Sequence, residues 1–360
     1  MRRKEFIQKS SLLVGSAFFS GLPFTQCSSK KPPATVEVET TPSVPTFDLH
    51  CHPGLFFAKG EERYPGDNAF RSSLTAMAEQ NINGGFFSIV SDWPLLRITE
   101  NGVVTDRPFN KGEAWAEYKK QLSGLNELLS NSGKSISTNA RDLSTDDLSI
   151  FVACEGGDFL EGDVDRVNEA YSDGVRSVQL VHYTATDVGD LQTIDPIHNG
   201  LSDFGKNLVQ RMDQLGMIID VAHASFKTVQ DVVEITNSPL ILSHSLLNNG
   251  SDSPVANRTI SEDHAKLIAK NGGVIGAWPS GYSTNMDEFV ANTLSLVDLV
   301  GVDHVGIGTD MDANYKPVVK DYAEFNLWAE MLAKKGMTEN DVAKITGGNA
   351  QRVLTQVLSN

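Results

Sequence analysis

The stretch Phe47-Asp48-Leu49-His50-Cys51-His52 decides the fold of this chain. In a β-strand the side chains alternate between two faces, so Asp48, His50 and His52 share one face. That face is polar and suited to binding a metal. The other three residues are apolar and suited to packing against helices. Two histidines on one strand are a weak signal alone, and a chance pair is the alternative.

Apolar segments alternate with helical segments along the rest of the chain. We expect strands at 47–52, 83–91, 148–155, 175–183, 217–223, 239–244, 273–278 and 304–310. We expect helices at 70–80, 113–129, 202–215, 226–235, 261–271 and 286–300, and two more at the end, the second near Thr338. Such alternation is typical of parallel βαβ units. The count of eight strands predicts a closed (β/α)8 TIM barrel, an α/β fold, rather than an open doubly wound sheet.

The composition and the N-terminus indicate an exported, acidic protein. The formal charge of −16 argues against nucleic acid as a partner, because phosphates need a basic surface. Residues 1–27 are typical of an export signal, in which Arg3-Lys4-Glu5-Phe6-Ile7 resembles a twin-arginine motif and Cys27 is a candidate lipoprotein cysteine. Residues 28–46 are expected to be a flexible tether and 47–360 a single catalytic domain. We therefore expect a periplasmic protein, or one tethered to the outside of a membrane through a lipid anchor.

Polar side chains occur where the expected strands end, which is where the sites of such barrels lie. Eight residues occupy these ends: His50, His52, Asp92, Glu155, His182, His223, His244 and Asp310. Five of the eight histidines in the chain are among them. Imidazole nitrogen together with carboxylate oxygen suits Zn²⁺ or a similar divalent ion. Cys51 and Cys154 are expected to face away from these ligands, buried and without a disulfide.

These strand ends and the residues around them resemble the membrane (renal-type) dipeptidases, the M19 group of zinc peptidases in the amidohydrolase superfamily. The resemblance covers residues 47–354 and rests on several short motifs in family-like order. They are Cys154-Glu155-Gly156-Gly157, Leu180-Val181-His182-Tyr183, the run 215–225 around Asp220-Val221-Ala222-His223, Ser243-His244-Ser245, Asn257-Arg258-Thr259-Ile260, and the run 304–310 ending in Gly308-Thr309-Asp310. The implied fold is a TIM barrel of the metallo-dependent hydrolase type.

The resemblance implies a binuclear metal site bridged by Glu155. His50 and His52 would complete one metal, and His223 and His244 the other. The expected cofactors are two Zn²⁺ ions, with Mn²⁺ or Co²⁺ as substitutes. A water held between two such ions becomes the hydroxide nucleophile near neutral pH.

The resemblance also implies how a dipeptide, the expected partner, would be bound and cleaved. His182 would donate to the oxyanion of the tetrahedral intermediate. Arg258 would bind the free C-terminal carboxylate, which its planar guanidinium fits. Asp310 would carry the proton from the water to the leaving amine. The expected substrates include dipeptides with a C-terminal D-residue, and a homodimer is an open alternative for the assembly.

One residue departs from the family pattern: the M19 dipeptidases carry His-x-Asp where this chain has His50-Cys51-His52. A neutral ring in place of an anion raises the net charge of the site by one unit, which is expected to affect how firmly one metal is held. Two further functions therefore stay open. One is another binuclear amidohydrolase that cleaves an acyl, lactone or cyclic amide substrate, and the other is a metal-binding relative without activity.

Overall fold

The computed structural model describes residues 44–99 and 102–358. The expected export signal and nearly all of the expected tether lie outside these residues. Within them, no helix has both the length and the apolar character needed to cross a membrane. The description below concerns the unit from Ser43 onward.

A parallel sheet forms the centre of the fold. The strands in chain order are β1 (Phe47–Cys51), β2 (Gly84–Val90), β3 (Leu96–Thr99), β4 (Gly102–Thr105), β5 (Ile136–Ser137), β6 (Ser149–Glu155), β7 (Val175–Gln179), β8 (Ile218–Asp220), β9 (Ile241–Ser245), β10 (Val274–Ala277) and β11 (Val305–Ile307). The pairing order is β1-β2-β6-β7-β8-β9-β10-β11, with β5 added beside β6. The last strand returns to the first, because the Asp310 amide donates to the His50 carbonyl at 2.8 Å. The predicted eight-stranded barrel is confirmed.

Helices follow the barrel strands and cover the outside. They are α1 (Asp67–Glu79), α2 (Glu113–Asn131), α3 (Asp165–Ser172), α4 (Asp203–Leu215), α5 (Phe226–Ile235), α6 (Glu262–Lys270), α7 (Met286–Val300), α8 (Tyr322–Lys334), α9 (Glu339–Ala343) and α10 (Asn349–Val357). Side chains cap the N-termini of α4 and α9: the Ser202 and Thr338 side chains accept from the amides of Gly205 and Asp341. Gly216 ends α4 in the left-handed conformation, with φ of 67°, which glycine adopts without steric cost.

Three strands are shorter than predicted, so His182, His223 and Asp310 lie in the loops just after β7, β8 and β11. The backbone explains two of these ends. His223 and Asp310 have φ of 64° and 57°, and the left-handed conformation cannot continue a strand. Both side chains are thereby turned toward the barrel mouth, at a backbone cost of roughly 1 kcal/mol each.

The strict alternation expected for the first strand is wrong. The pairing of β1 with β2 shifts register between Asp48 and Cys51. Phe47 and Leu49 therefore join an apolar cluster with Ile218, Ile241 and other residues from across the barrel, which only the barrel interior can bring together. Asp48 does not orient a histidine ring: its carboxylate accepts from the amides of His50 and Thr309 and from the Thr309 and Tyr322 hydroxyls.

Helix α10 closes the opposite end of the barrel from the site. Val353, Leu354 and Val357 on this helix belong to the same cluster as Phe47 and Phe86. The amphipathic spacing of these residues puts them on one face of α10, which packs under the barrel.

The segment between β2 and β6 contains an element that was not predicted. β3 and β4 form an antiparallel hairpin in which Ile98 pairs with Val103 and Leu96 with Thr105. Its sequence signal is Asn101-Gly102 between two short runs rich in β-branched residues, a pattern typical of a β-hairpin. The amphipathic helix expected in this segment is confirmed as α2.

Candidate metal centre and substrate pocket

The five predicted metal ligands converge at the mouth of the barrel around Glu155, the last residue of β6. The Nε2 atoms of His50, His52 and His223 lie 3.4 Å from its carboxylate oxygens, and that of His244 lies 3.7 Å away. These atoms form two groups that share the carboxylate. We call His50 and His52 the first pair, and His223 and His244 the second pair.

The first pair is oriented by one residue of the neighbouring strand, Ser88 on β2. His52 Nδ1 lies 3.0 Å from the Ser88 carbonyl oxygen, to which it can only donate, and His50 Nδ1 lies 3.2 Å from the Ser88 hydroxyl. The two Nε2 atoms point into the site, 3.0 Å apart. A hydrogen bond at Nδ1 that leaves Nε2 to face a cation is the usual support of a metal-binding histidine.

The second pair has a different support. His244 Nδ1 contacts the Ser243 hydroxyl at 3.0 Å, and its Nε2 lies 3.3 Å from Nη2 of Arg258, which can only donate. His223 Nδ1 is buried and finds no hydrogen-bond partner in the described part of the chain. The Nε2 atoms of the pair lie 3.1 Å apart.

The charges around the two pairs differ in sign. Burial lowers the pKa of His52, but hydrogen bonds to Asp310 and Glu155 outweigh burial and raise that pKa to about 9. Burial also lowers the pKa of His223, and the nearby Arg258 charge lowers it further, well below its usual value. The carboxylates that favour a proton on His52 would equally favour a divalent cation, whose binding would displace that proton.

The donor set fits a pair of divalent ions. Zn²⁺ binds imidazole nitrogen and carboxylate oxygen at about 2.0–2.2 Å, which places two tetrahedral ligands about 3.3 Å apart. The separations within the two pairs are 3.0 and 3.1 Å. Burial disfavours a charge on Glu155, yet the His182 and His50 charges hold its pKa well below the usual range, so the carboxylate is ionised and can face two cations.

His182 lies beside this centre and is held by Asp92, a strand-end residue to which the sequence assigned no role. Its Nδ1 is 2.7 Å from Asp92 Oδ1, and its Nε2 is 3.2 Å from Glu155 Oε1. Burial opposes a charge on the ring, but Asp92 and Glu155 raise the pKa of His182 well above its usual value. The Asp92 carboxylate also accepts from the Thr184 hydroxyl at 3.1 Å, which fixes its own position.

Arg258 is 1 % exposed although it carries a guanidinium group. Its Nη1 donates to Gln192 Oε1 at 2.5 Å, while its Nε has no partner among the described residues. A buried guanidinium without a full set of acceptors is costly unless a ligand supplies one.

Asp310 lies between the first pair and the open pocket. Its Oδ1 is 3.2 Å from His52 Nε2, and its Oδ2 accepts from the Trp278 indole at 3.2 Å. Its side chain keeps 14 % of its surface exposed, more than Glu155 does. It is therefore accessible to a molecule that enters the site.

A cavity of about 360 Å³ opens above the centre. Tyr183 and Trp278 line it, whereas the hydroxyl of Tyr282 contacts the side chain of Asn249 at 2.6 Å. The β3–β4 hairpin forms one wall. Cys51 and Cys154 are buried and not joined to each other, as expected.

Known proteins resemble this chain in sequence. The sequence model of one family, described as membrane dipeptidase (peptidase family M19), matches residues 38–360. Mouse dipeptidase 3 is 27% identical over 227 residues, which is 59% of this chain and 45% of the mouse protein. Dipeptidase aclJ of Aspergillus oryzae is 28% identical over 222 residues, 58% of this chain and 52% of the fungal protein. The chain thus spans about half the length of the curated relatives it matches.

Solved structures show the same fold. The dipeptidase AC, described as a metallo peptidase of family M19, aligns with a TM-score of 0.74 at 19% identity over 88% of this chain and 100% of its own. A metallo peptidase from Rhodobacter sphaeroides, liganded with a phosphinate mimic of the dipeptide L-Ala-D-Ala, aligns with a TM-score of 0.73 at 19% identity over 88% of this chain and 99% of its own.

Proposed function

Because this chain belongs to the membrane dipeptidase family, peptidase family M19, we propose that it is a zinc-dependent dipeptidase. The observation that carries the proposal is the single buried carboxylate of Glu155, which is shared by two pairs of histidines. The substrates would include dipeptides with a C-terminal D-residue. The phosphinate mimic bound by the Rhodobacter sphaeroides relative supports this substrate class.

Two divalent ions would be held by the two pairs together with Glu155. When bound, they would supply the positive charge that lowers the pKa of a water molecule to near neutrality and polarises the scissile carbonyl. The protein contributes a buried site in which this charge is poorly screened. His50, His52, His223 and His244 are each 3 % exposed or less.

Arg258 would bind the C-terminal carboxylate of the substrate. Its buried Nε lacks an acceptor within the described residues, and a carboxylate would supply one with a planar fit. This contact would place the scissile bond one residue from the C-terminus of the substrate, since a chain that continues beyond that residue has no carboxylate there.

His182 would donate a hydrogen bond from Nε2 to the oxygen that becomes negative in the transition state. The Asp92 carboxylate receives Nδ1–H, so the ring is held with Nε2 toward the reacting carbonyl.

Asp310 would take a proton from the attacking water and deliver it to the leaving amine. Its position next to His52 and its partial exposure allow contact with both. The Trp278 indole holds its other oxygen.

The alternative functions are less well supported by this site. A binder without activity needs neither the His182–Asp92 pair nor a buried Arg258. A different amidohydrolase substrate would need no group that recognises a free carboxylate beside the metals.

The proposal is tested by counting metals and screening dipeptides with the same purified protein. We expect about two zinc ions per chain by mass spectrometry of the digested protein, and release of amino acids from simple dipeptides. At most one tightly bound ion, with no hydrolysis after Zn²⁺ or Mn²⁺ is added, would contradict it.

We further propose that the N-terminal signal exports the protein, on the sequence argument alone. Cell fractionation tests this, with Cys27→Ser as the variant that separates anchoring from export. Loss of the protein from the membrane fraction in this variant would support a lipid anchor, and a wholly cytoplasmic protein would contradict export.

A further inference from the structure

We propose that the β3–β4 hairpin forms the subsite for the side chain of the substrate's N-terminal residue, and that it selects large apolar side chains. The inference rests on the proposed dipeptidase function and adds a substrate class to it. It is supported by the order of the strands in the barrel and by the apolar residues of one cavity wall.

The topology places the root of the hairpin across the site from Arg258, while Gly102 at its tip lies against Pro254, in the loop that leads to Arg258. The hairpin follows β2, which is the second strand in the barrel order, and Arg258 follows β9, which is the sixth. In a closed barrel of eight strands the second and sixth are diametrically opposed. Glu155 and the metal ligands lie at the mouth between them, and both Arg258 and the hairpin line the same cavity.

These positions set the orientation of a bound dipeptide in the cavity. With its C-terminal carboxylate on Arg258 and its scissile carbonyl near Glu155, its N-terminal residue extends toward the base of the hairpin, at Trp93 and Leu96. The cavity volume of about 360 Å³ is sufficient for a dipeptide with one large side chain.

The wall at this end is apolar throughout its described residues. It consists of Phe57, Val90, Trp93, Leu96, Ile98 and Val103. The antiparallel register pairs Ile98 directly with Val103, so both side chains lie on the same face of the hairpin. The charged residue between Leu96 and Ile98, Arg97, pairs with Asp106 at 2.7 Å and is well exposed to solvent.

The base of this wall is fixed in place. The Trp93 indole donates to Glu61 Oε2 at 2.9 Å, the Arg63 guanidinium lies 3.7 Å from the centre of its ring, and Phe57 contacts its edge. A wall held in this way is preorganised, which reduces the entropy lost when a ligand binds.

The upper part of the wall exposes apolar surface to water. Ile98 is 67 % exposed, the largest fraction among the large hydrophobic residues that the structure describes. An apolar side chain that covers Ile98 would be stabilised, because it removes this surface from water. A charged N-terminal side chain would lose water there without meeting a partner. The polar residues Asn257, Arg258 and Lys316 line other parts of the cavity.

The test compares dipeptides that differ only in the first residue, using the zinc-loaded enzyme. We expect kcat/KM for Leu-Ala and Phe-Ala to exceed that for Gly-Ala, Asp-Ala and Lys-Ala by about tenfold or more. In Ile98→Asn the ratio of Leu-Ala to Gly-Ala should fall about fivefold, mainly through KM, because an exposed contact is lost. Leu327→Asn is the matched control, since Leu327 is 43 % exposed on α8 and does not line the cavity.

Each outcome has a distinct meaning. Equal kcat/KM values across the panel, or a ratio that is the same in Ile98→Asn and in Leu327→Asn, would overturn the subsite and leave the dipeptidase function intact. Absence of hydrolysis for every dipeptide would overturn the dipeptidase function, and the subsite with it. A preference for Asp-Ala or Lys-Ala would show that the hairpin does not select apolar residues.

Discussion

The first pair lies at the end of one strand, β1, beside the Asp310 carboxylate, whereas the second pair lies at the ends of two strands, β8 and β9, beside the Arg258 guanidinium. His52 Nε2 is 3.2 Å from a carboxylate oxygen, and His244 Nε2 is 3.3 Å from a guanidinium nitrogen. At such distances a carboxylate raises the affinity of a site for a cation, and a guanidinium lowers it. We therefore expect the ion at the first pair to be bound more tightly, although His52 replaces the aspartate of the family pattern.

This difference suggests how the chain tolerates the substitution. The negative charge that is missing from position 52 is available from Asp310, in contact with the His52 ring. The second pair has no such carboxylate besides Glu155 among the contacts of the described residues. The two pairs of histidines therefore share the Glu155 carboxylate but differ in the charge of their other neighbours.

The largest expected effect comes from removing the bridge that both pairs share. Glu155→Gln should reduce kcat/KM by about 1000-fold or more, because an amide cannot offer two anionic oxygens to two cations. The bound metal should fall below one ion per chain, measured by mass spectrometry. A variant that keeps both ions would show that Glu155 is not a bridge.

The next effect should leave both pairs intact. Asp92→Asn should lower kcat about 100-fold, because an amide can hold His182 in the wrong tautomer. We expect little change in metal content and in KM, which separates this residue from the metal centre. A loss of metal equal to that of Glu155→Gln would assign Asp92 a general structural role instead.

Arg258→Gln should weaken the binding of dipeptides and strengthen the binding of the zinc ion at the second pair. We expect KM for dipeptides to rise about 30-fold, since a charged hydrogen bond to the carboxylate is lost. The second zinc ion should bind more tightly when metal-free protein is titrated in a calorimeter, because a nearby positive charge is gone. Arg258→Lys is the matched control, in which the second ion should keep its lower affinity; an unchanged affinity in Arg258→Gln would remove the electrostatic explanation of the difference.

Two matched serine variants each affect the support of one histidine pair. Ser88→Ala removes the hydroxyl that contacts His50, and Ser243→Ala removes the one that contacts His244. Each should lower the affinity of its own ion about tenfold. Competition with a coloured chelator measures this, and equal effects on both ions in either variant would contradict independent support.

The smallest effect concerns His264, a buried histidine outside both pairs. Burial lowers its pKa from 6.5 to about 4, so the unfolded chain binds more protons between these values and stability falls as the pH drops through this range. On going from pH 7.5 to 5.5 the wild type should lose about 1 kcal/mol more stability than His264→Leu. Denaturant unfolding at the two pH values measures the difference, and identical losses would show that His264 is protonated in the folded protein.

The sequence predicted the barrel and the convergence of its ligands because both depend on repeated patterns. Eight apolar segments set the strand count, and the residues that end them must meet at one mouth. The register shift in β1 was not predictable, since the alternation of Phe47 to His52 gives no sign of it. The contact between Asp92 and His182 was not predictable either. The two residues are 90 positions apart in the chain and meet only when the barrel closes.

The hairpin was missed for a different reason. Its strands have four residues each, and the segment was interpreted as a long connection around one helix. The Asn101-Gly102 signal was present in the sequence but falls in a region where βα alternation gives no expectation of antiparallel pairing.

Helix α10 has a consequence for the biogenesis of the protein. Every proposed metal ligand and catalytic residue precedes position 311, yet Phe47, Leu49 and Phe86 are buried by a helix that ends at Val357. The apolar side chains of β1, the first strand to be synthesised, are therefore covered only after nearly the whole chain has left the ribosome. Contacts of such large sequence separation slow folding. A nascent chain that stalls after Asp310 would carry a complete set of metal ligands on a barrel that is still open at its base.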